Sequence, residues 1–308
     1  MRVIITGASG FIGRNMLLRA PGTWQIAAVY NQSEDFEKFV ASHRLTHVTP
    51  IRCDLLDPSA VRALADRIGA RSDAAVYLAA NGDPAASVAR PRWDLESNTV
   101  ALVTFLEQCP ADHIVYVSSG AVYDGLIGAV SPATAVSPRL PYAISKLASE
   151  QYVASFAEQR KTPRSYINVR FFGAYGPYEA PRKITTKWMR AVMNGQRELT
   201  LRGDGENLID FMYIDDAVDG LCALAKAVGV CATVDFASGA PVSVNDVVRA
   251  MGRTLGVEIA MKHAGHSEEY IQFHTIDRTM RERFGVEPTI SFADGVARLH
   301  RFLTSEAV

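Results

Sequence analysis

Short apolar runs recur along the chain, each followed by a longer stretch in which apolar residues return every three or four positions. Runs such as RVIIT and HIVYVS show no polar–apolar alternation, which marks strands buried on both faces of a sheet. The pattern predicts strands near 2–6, 26–30, 48–53, 74–80, 113–118, 165–170 and 232–237. Helices are predicted near 11–20, 58–69, 92–109, 141–160 and 214–228. Alternation on this scale builds right-handed βαβ units around a parallel sheet. The predicted fold class is therefore α/β, a doubly wound parallel sheet whose ligands lie beyond the carboxyl ends of the strands.

Beyond about residue 177 the pattern loosens. The stretch GPYEAPRKITTKWMRAVMNGQRELTLRGDGENLIDF mixes Pro, Gly and charge around a short helix near 184–194. The strand at 232–237 returns to the main sheet, and the tail from 243 onward reads as helix-rich. This predicts a main domain of 1–177 plus about 211–241, and a smaller C-terminal substrate lobe of about 178–210 plus 242–308. Trp188 and Met189, at helical spacing, are expected to pack inside that lobe.

Composition narrows the partners. Of 308 residues, 48% are hydrophobic and 21% charged, and the formal net charge of −1 gives no pull toward nucleic acid or a membrane surface. Cys53, Cys109, Cys222 and Cys231 form no CxxC pair and read as buried thiols in a reducing compartment. No His/Cys/Asp cluster has metal-ligand spacing. The chain opens on a strand, MRVIITG, which leaves no room for a signal peptide, and no apolar stretch reaches the ~18–20 residues of a membrane span. The expectation is a cytoplasmic protein with a small-molecule substrate.

The first candidate chemistry follows the first strand. In VIITGASGFIG, Gly7, Gly10 and Gly13 flank Phe11 and Ile12 where strand turns into helix. Glycines there let a pyrophosphate approach free N–H groups at the helix start, the arrangement of a Rossmann dinucleotide site. The spacing is GxxGxxG rather than GxGxxG. The second strand ends in Tyr30, Asn31, Gln32 and Ser33, with no acid before Glu34. A carboxylate at that point binds the adenosine 2′-hydroxyl of NAD. Its absence permits a 2′-phosphate and favours NADP over NAD, although no Arg stands in the segment. Asp54 and Leu55 follow the third strand, on the adenine side. Leu78, Ala79, Ala80 and Asn81 follow the fourth, the small residues allowing a cofactor backbone to pass.

The second candidate is PYAISK. Tyr142 and Lys146 share a helix face at i and i+4. A Lys beside a phenol lowers its pKa, and such a Tyr exchanges a proton with an alcohol while hydride moves at the same carbon. The loop SSGAVYDG, after the fifth strand, adds Ser119.

Together these segments resemble an extended short-chain dehydrogenase/reductase of the nucleotide-sugar epimerase/dehydratase branch, nearly end to end. TGASGFIG resembles the cofactor loop, YLAA and ESNTVAL the next two elements, SSGAVYDG the Ser loop and PYAISK the Tyr/Lys helix. VRFFGAYGP, LRGDGENLIDFMYIDDAV and FASGAPVSVNDVV resemble later signatures. The resemblance implies Ser119, Tyr142 and Lys146 as catalytic residues, Asn98 beside the cofactor, and a homodimer packed through the helices near 92–109 and 141–160.

Departures from the family are equally informative. The 4,6-dehydratases of this branch carry Asp and Glu after the Ser/Thr, whereas this chain has Gly120 and Ala121. The loop thus holds no acid for dehydration, and Asp124 lies too far along. Gly173 stands where the family often has Asn, and Ile209 where it often has a diphosphate-binding Arg. Arg182, Lys183, Lys187 and Arg190, or Arg281 and Arg283, are candidate replacements through charge-assisted bonds. Their alternative is a solvated helix face. Asp215–Asp216 reads as a helix-start pair, and His263 and His266 as loop histidines. The expected function is NAD(P)-dependent hydride transfer at a hydroxyl/keto carbon, C4 of a nucleotide-linked sugar, by an NADPH-using 4-ketoreductase. The alternatives are a 4-epimerase that retains NAD and a non-catalytic NAD(P)H sensor.

Overall fold

The computed structural model describes residues 1–69, 71–108, 111–159, 163–265 and 272–306. Its frame is one seven-stranded, wholly parallel sheet: β1 (Arg2–Thr6), β2 (Gln25–Tyr30), β3 (Val48–Arg52), β4 (Ser72–Tyr77), β5 (Ala111–Val117), β6 (Ser165–Phe171) and β7 (Cys231–Phe236). In space they run 7-6-5-4-1-2-3. The order reverses between β1 and β4, and the crevice outside that reversal is where such sheets take ligands. Thr6 lies opposite Tyr77, so the loops after β1 and β4 open side by side.

Continuous apolar runs are required because both faces are covered. Ile5, Val76 and Val115 face a core shared with helices α1 (Phe11–Arg19) and α9 (Ile214–Lys226). Their neighbours Ile4, Tyr77 and Tyr116 face a second core with α3 (Pro58–Ile68), α6 (Ala101–Gln108) and α7 (Pro141–Gln159). The first core continues without a break through α8 (Ile184–Met193), α10 (Val244–Leu255) and α12 (Phe292–Glu306). Trp188 and Met189 are buried there. Strand Glu198–Arg202 pairs with Ala260–Ala264, and Leu208–Ile209 with Val242–Ser243, so the stretches before and after β7 pair with each other.

Several expectations need correction. The helix near 92–109 is three pieces: α5 (Pro91–Leu95), a π-helical turn at Glu96–Val100, and α6. Two short helices were not anticipated, α2 (Phe36–Ser42) and α4 (Pro84–Ala89). The predicted strand 74–80 ends at Tyr77, which frees 78–80 as loop. The tail is not purely helical: besides α10, α11 (Thr279–Phe284) and α12 it contributes strands Ala260–Ala264 and Gln272–Thr275. Cys53 and Cys222 are buried, but Cys231 is exposed at the start of edge strand β7. Cys109 and His266 lie outside the described residues. No described helix is long and apolar enough to cross a membrane, and no metal-binding cluster occurs among the described residues.

Candidate active site

A cleft of ≈ 570 Å³ opens at the carboxyl ends of β1, β2, β3 and β4. Gly7, Gly10, Tyr30, Asn31, Gln32, Ser33, Asp54, Leu55, Leu78, Ala79, Ala80 and Asn81 all line it. It is also lined by Ser9 and Ser97, inside the TGASGFIG and ESNTVAL segments, and by Gly82 and Trp93, which carry no recognisable sequence signal. Phe11 and Ile12 pack half-buried against the core beneath the loop.

The glycines leave the room a dinucleotide needs. Gly7 has φ +64, and a Cβ there would stand 2.8 Å from the Ala79 backbone nitrogen. A Cβ on Gly13 would stand 2.5 Å from the Gly7 carbonyl oxygen. Gly10, which caps α1, supplies no side chain to the helix start. The first N–H groups of α1 are therefore left for an anion. The donor set and the tight loop fit a pyrophosphate.

Just beyond the end of β2, Ser33 has a partner hidden from the local sequence. Arg14, from the first turn of α1, lies 3.3 Å from Ser33 Oγ and bonds both carboxylate oxygens of Asp35 at 2.9 Å. Ser33 Oγ donates to Asp35 at 2.7 Å. The Arg14 guanidinium also stacks on Phe39, 4.7 Å from the ring centre. Ser33 and Arg14 together hold the Asp35 carboxyl below its ordinary pKa.

The chemical end is built from β5 and α7. The Ser119 side chain accepts from Ala121 N at 3.1 Å and faces the Tyr142 phenol. Burial raises that phenol above its ordinary pKa, Ser119 lowers it, and the Asp94 carboxylate raises it. Lys146, fully inside, donates to the Val117 carbonyl at 2.9 Å, with Nζ 5.9 Å from the Tyr142 ring centre. Burial pushes the Lys146 ammonium down to about 8, against the opposing pull of Asp94 and Glu150. Gly120 faces a ring: a Cβ there would meet Phe172 at 3.1 Å.

Around these groups lies a buried polar network. Ser118 donates to Glu150 at 2.5 Å, and Glu150 pairs with Arg170 at 3.0 Å. Arg170 donates to the Tyr123 hydroxyl, which donates to Asp235 at 2.8 Å. Asn98 donates to Asp94 and to Ser145, both at 3.0 Å.

The expected substrate cations are mostly engaged or exposed. Arg182 pairs with Asp83 at 3.1 Å and Lys183 donates to the Gly82 carbonyl at 3.4 Å, so both lean on the turn that edges the cleft. Lys187 is exposed on α8, and Arg190 pairs with Glu306. Arg281 pairs with Glu287 at the surface. Gly173 takes φ +139 with its Cβ side toward Phe211. Asp215 and Asp216 lie in the first turn of α9, a helix-start pair; Asp216 also accepts from the Thr289 and Ile290 N–H groups, and Asp215 pairs with Arg298 and Arg19. They tie α9 to α12, to the segment at 289–290 and to α1. His263 sits on a strand, hydrogen-bonded to Asn245 at 2.9 Å.

Comparison with known proteins places this geometry in context. The family model described as NAD dependent epimerase/dehydratase family matches residues 3–231. The UDP-glucose 4-epimerase of Mycolicibacterium smegmatis is 24% identical, with all of each chain covered. A dTDP-glucose 4,6-dehydratase of Streptomyces griseus is 27% identical over 96% of this chain and 92% of its own. Among solved structures, MoeE5 in complex with UDP-glucose and NAD superimposes with TM-score 0.87 at 25% identity, covering both chains fully.

Proposed function

Because the chain belongs to the NAD dependent epimerase/dehydratase family, and so to the extended short-chain dehydrogenase/reductases, we propose that it is a nucleotide-sugar 4-epimerase that keeps NAD bound. The carrying observation is Ser119 facing the buried Tyr142 phenol from a loop whose next two residues are Gly120 and Ala121. The two loop positions after Ser119 offer no acid for eliminating water beside the Tyr142 phenol. Phe172 packs against Gly120, where an acidic side chain would need space.

Gly7, Gly10 and Gly13 would hold the pyrophosphate, Tyr30 to Ser33 the adenosine, and Lys146 the nicotinamide ribose. Nicotinamide, when bound, supplies a reversible hydride acceptor. Tyr142 takes the proton of the C4 hydroxyl as that carbon is oxidised, and returns it when the other face is reduced. Ser119 holds the same oxygen and shares the Tyr142 proton. Lys146, with Nζ 5.9 Å from the Tyr142 ring centre, adds a positive charge that stabilises the phenolate. The stretches 178–210 and 242–308 serve as the sugar-nucleotide lobe, with Arg182 and Lys183 at its mouth.

Retained NAD is favoured over exchanging NADPH by Asp35. Arg14, beside Ser33, already has a carboxylate partner, and a 2′-phosphate there would have to displace it; Arg52, another cation at the end of β2, is held by the Asn31 carbonyl at 2.9 Å. The second reading, an NADPH-dependent 4-ketoreductase, rests on the absence of any acid from Tyr30 to Ser33. Homodimerisation is supported by Leu95, Val100, Ile144 and Tyr152, exposed apolar residues on helices that pack side by side.

The deciding experiment is to denature the purified protein, identify any nicotinamide nucleotide released, and assay UDP-glucose and UDP-glucuronate for C4 inversion. Near-stoichiometric NAD with inversion supports the epimerase. An empty site preferring NADPH supports the ketoreductase, and a 4-keto-6-deoxy product overturns both. Tyr142→Phe should cut turnover by about a hundred- to ten-thousand-fold while leaving cofactor bound; unchanged turnover would remove Tyr142 from the mechanism.

A further inference from the structure

Beneath the catalytic pair lies a carboxylate that the reaction above does not use. Asp94, at the end of α5, is 1% exposed. One oxygen accepts from Asn81 Nδ2 at 2.7 Å and Asn98 Nδ2 at 3.0 Å; the other accepts from Ser145 Oγ at 2.7 Å. A buried carboxylate is costly unless its lone pairs are satisfied, and here three neutral donors satisfy it without a direct ion pair.

Each donor belongs to a different part of the site. Asn81 edges the cofactor cleft and shapes the turn through its bond from Asp83 N. Asn98 sits in the π-helical turn, and its Oδ1 accepts from Asn81 N at 2.7 Å. Ser145 lies on α7 between Tyr142 and Lys146. An ionised carboxylate only accepts. It therefore forces both amide NH₂ groups inward, and Asn98 must present its oxygen to the cleft turn. An amide or hydroxyl in its place would allow either orientation.

We propose that Asp94 is a positioning residue for hydride transfer, its carboxylate locking the cofactor-cleft turn at Asn81 to the Tyr142/Lys146 turn of α7. The inference rests on the function proposed above for Tyr142 and Lys146. The same carboxylate acts on both groups through space. Lys146 is faced by Asp94 from α5, Glu150 from its own helix, Tyr116 from β5 and the Tyr142 ring. Tyr142 is faced by Ser119 from the loop after β5, by Lys146 and by Asp94. Asp94 raises the pKa of each, so it keeps Lys146 cationic and Tyr142 protonated to higher pH.

The test is Asp94→Asn, which keeps the shape and removes the charge. It should fold, with a somewhat lower melting temperature because one amide NH₂ now faces a donor. Affinity for NAD, read by quenching of protein fluorescence, should weaken about fivefold, since about 1 kcal/mol separates a clamped from a loosened cleft edge. Turnover should fall about tenfold with KM little changed, and the rising limb of the pH–rate profile should move about one unit toward acid. A merely structural Asp94 would lower the melting temperature and leave affinity and pH profile in place, which would overturn the proposal. If Asp94→Asn does not fold, Ser145→Ala removes one link but keeps the charge. It should slow turnover without moving the pH limb; normal turnover would overturn the proposal. Wild-type inactivity on every nucleotide sugar would instead refute the epimerase reading, and NAD affinity alone would then decide Asp94: weaker binding supports the clamp, unchanged binding ends it.

Discussion

Gly13 carries the most stringent requirement of any residue in the cradle. Its missing side chain lies 2.5 Å from the Gly7 carbonyl oxygen and 2.6 Å from Ala8 Cα, and both are backbone atoms that cannot rotate away. Gly13→Ala must push the loop off α1, and NAD affinity should fall at least about tenfold, or about 1.4 kcal/mol. Calorimetric titration with NAD checks this, and unchanged affinity would show that the loop can retreat without cost. The requirement is legible in the sequence because glycine is the only residue type that meets it. The same holds for the Tyr142/Lys146 spacing. Arg14 and Asp94 are illegible for the opposite reason. Each is an ordinary charged residue on a helix, and its meaning comes from partners such as Asp35, Ser33 and Ser145 that only the folded chain brings within 2.7–3.3 Å.

The seven sheet strands are readable as apolar runs because both faces of the sheet are covered. The region 91–108 is readable as helical but not as interrupted, since a 3.6-residue period does not reveal one inserted residue. The interruption has a physical cause in the fold. The π-helical turn brings Asn98 to Asp94 and Asn81, and Ser149 Oγ donates to the Asn98 carbonyl at 3.2 Å. α2 escapes notice because seven residues give too few periods to recognise. The outward sides of this broken helix and of α7 carry Leu95, Val100, Ile144 and Tyr152. A charge on that apolar face should block pairing. Ile144→Glu is expected to convert a dimer into a monomer of 33.6 kDa by light scattering. A wild type that is itself monomeric would end the dimer proposal.

Across the whole molecule, the main sheet meets the C-terminal stretch at a buried carboxylate. Asp235 on β7 accepts from Tyr123 of the Ser loop and, at 2.6 Å, from Thr275 of the strand Gln272–Thr275. Burial, opposed by those two hydrogen bonds, raises its pKa from 3.8 to about 6. The folded state therefore holds this proton more tightly than the unfolded chain. The contribution of Asp235 to stability is complete below 3.8 and is lost as pH rises through about 6. Asp235→Asn removes that dependence, so its melting temperature relative to wild type should be higher at about pH 8 than at about pH 4. Parallel melting curves at the two pH values would remove Asp235 from the account.

β7, which carries Asp235, is an edge strand, and it is the last strand of the main sheet to leave the ribosome. Every described residue lining the cofactor cleft precedes residue 102, so the dinucleotide cradle is synthesised long before the sheet is closed on its far side. Until residues 231–236 emerge, β6 presents an open edge, and the buried Arg170 and Tyr123 lack Asp235. The nascent chain thus passes through a stage with a complete grip for NAD and an unprotected strand beside it. That is the interval in which cofactor capture and chaperone shielding have most to contribute.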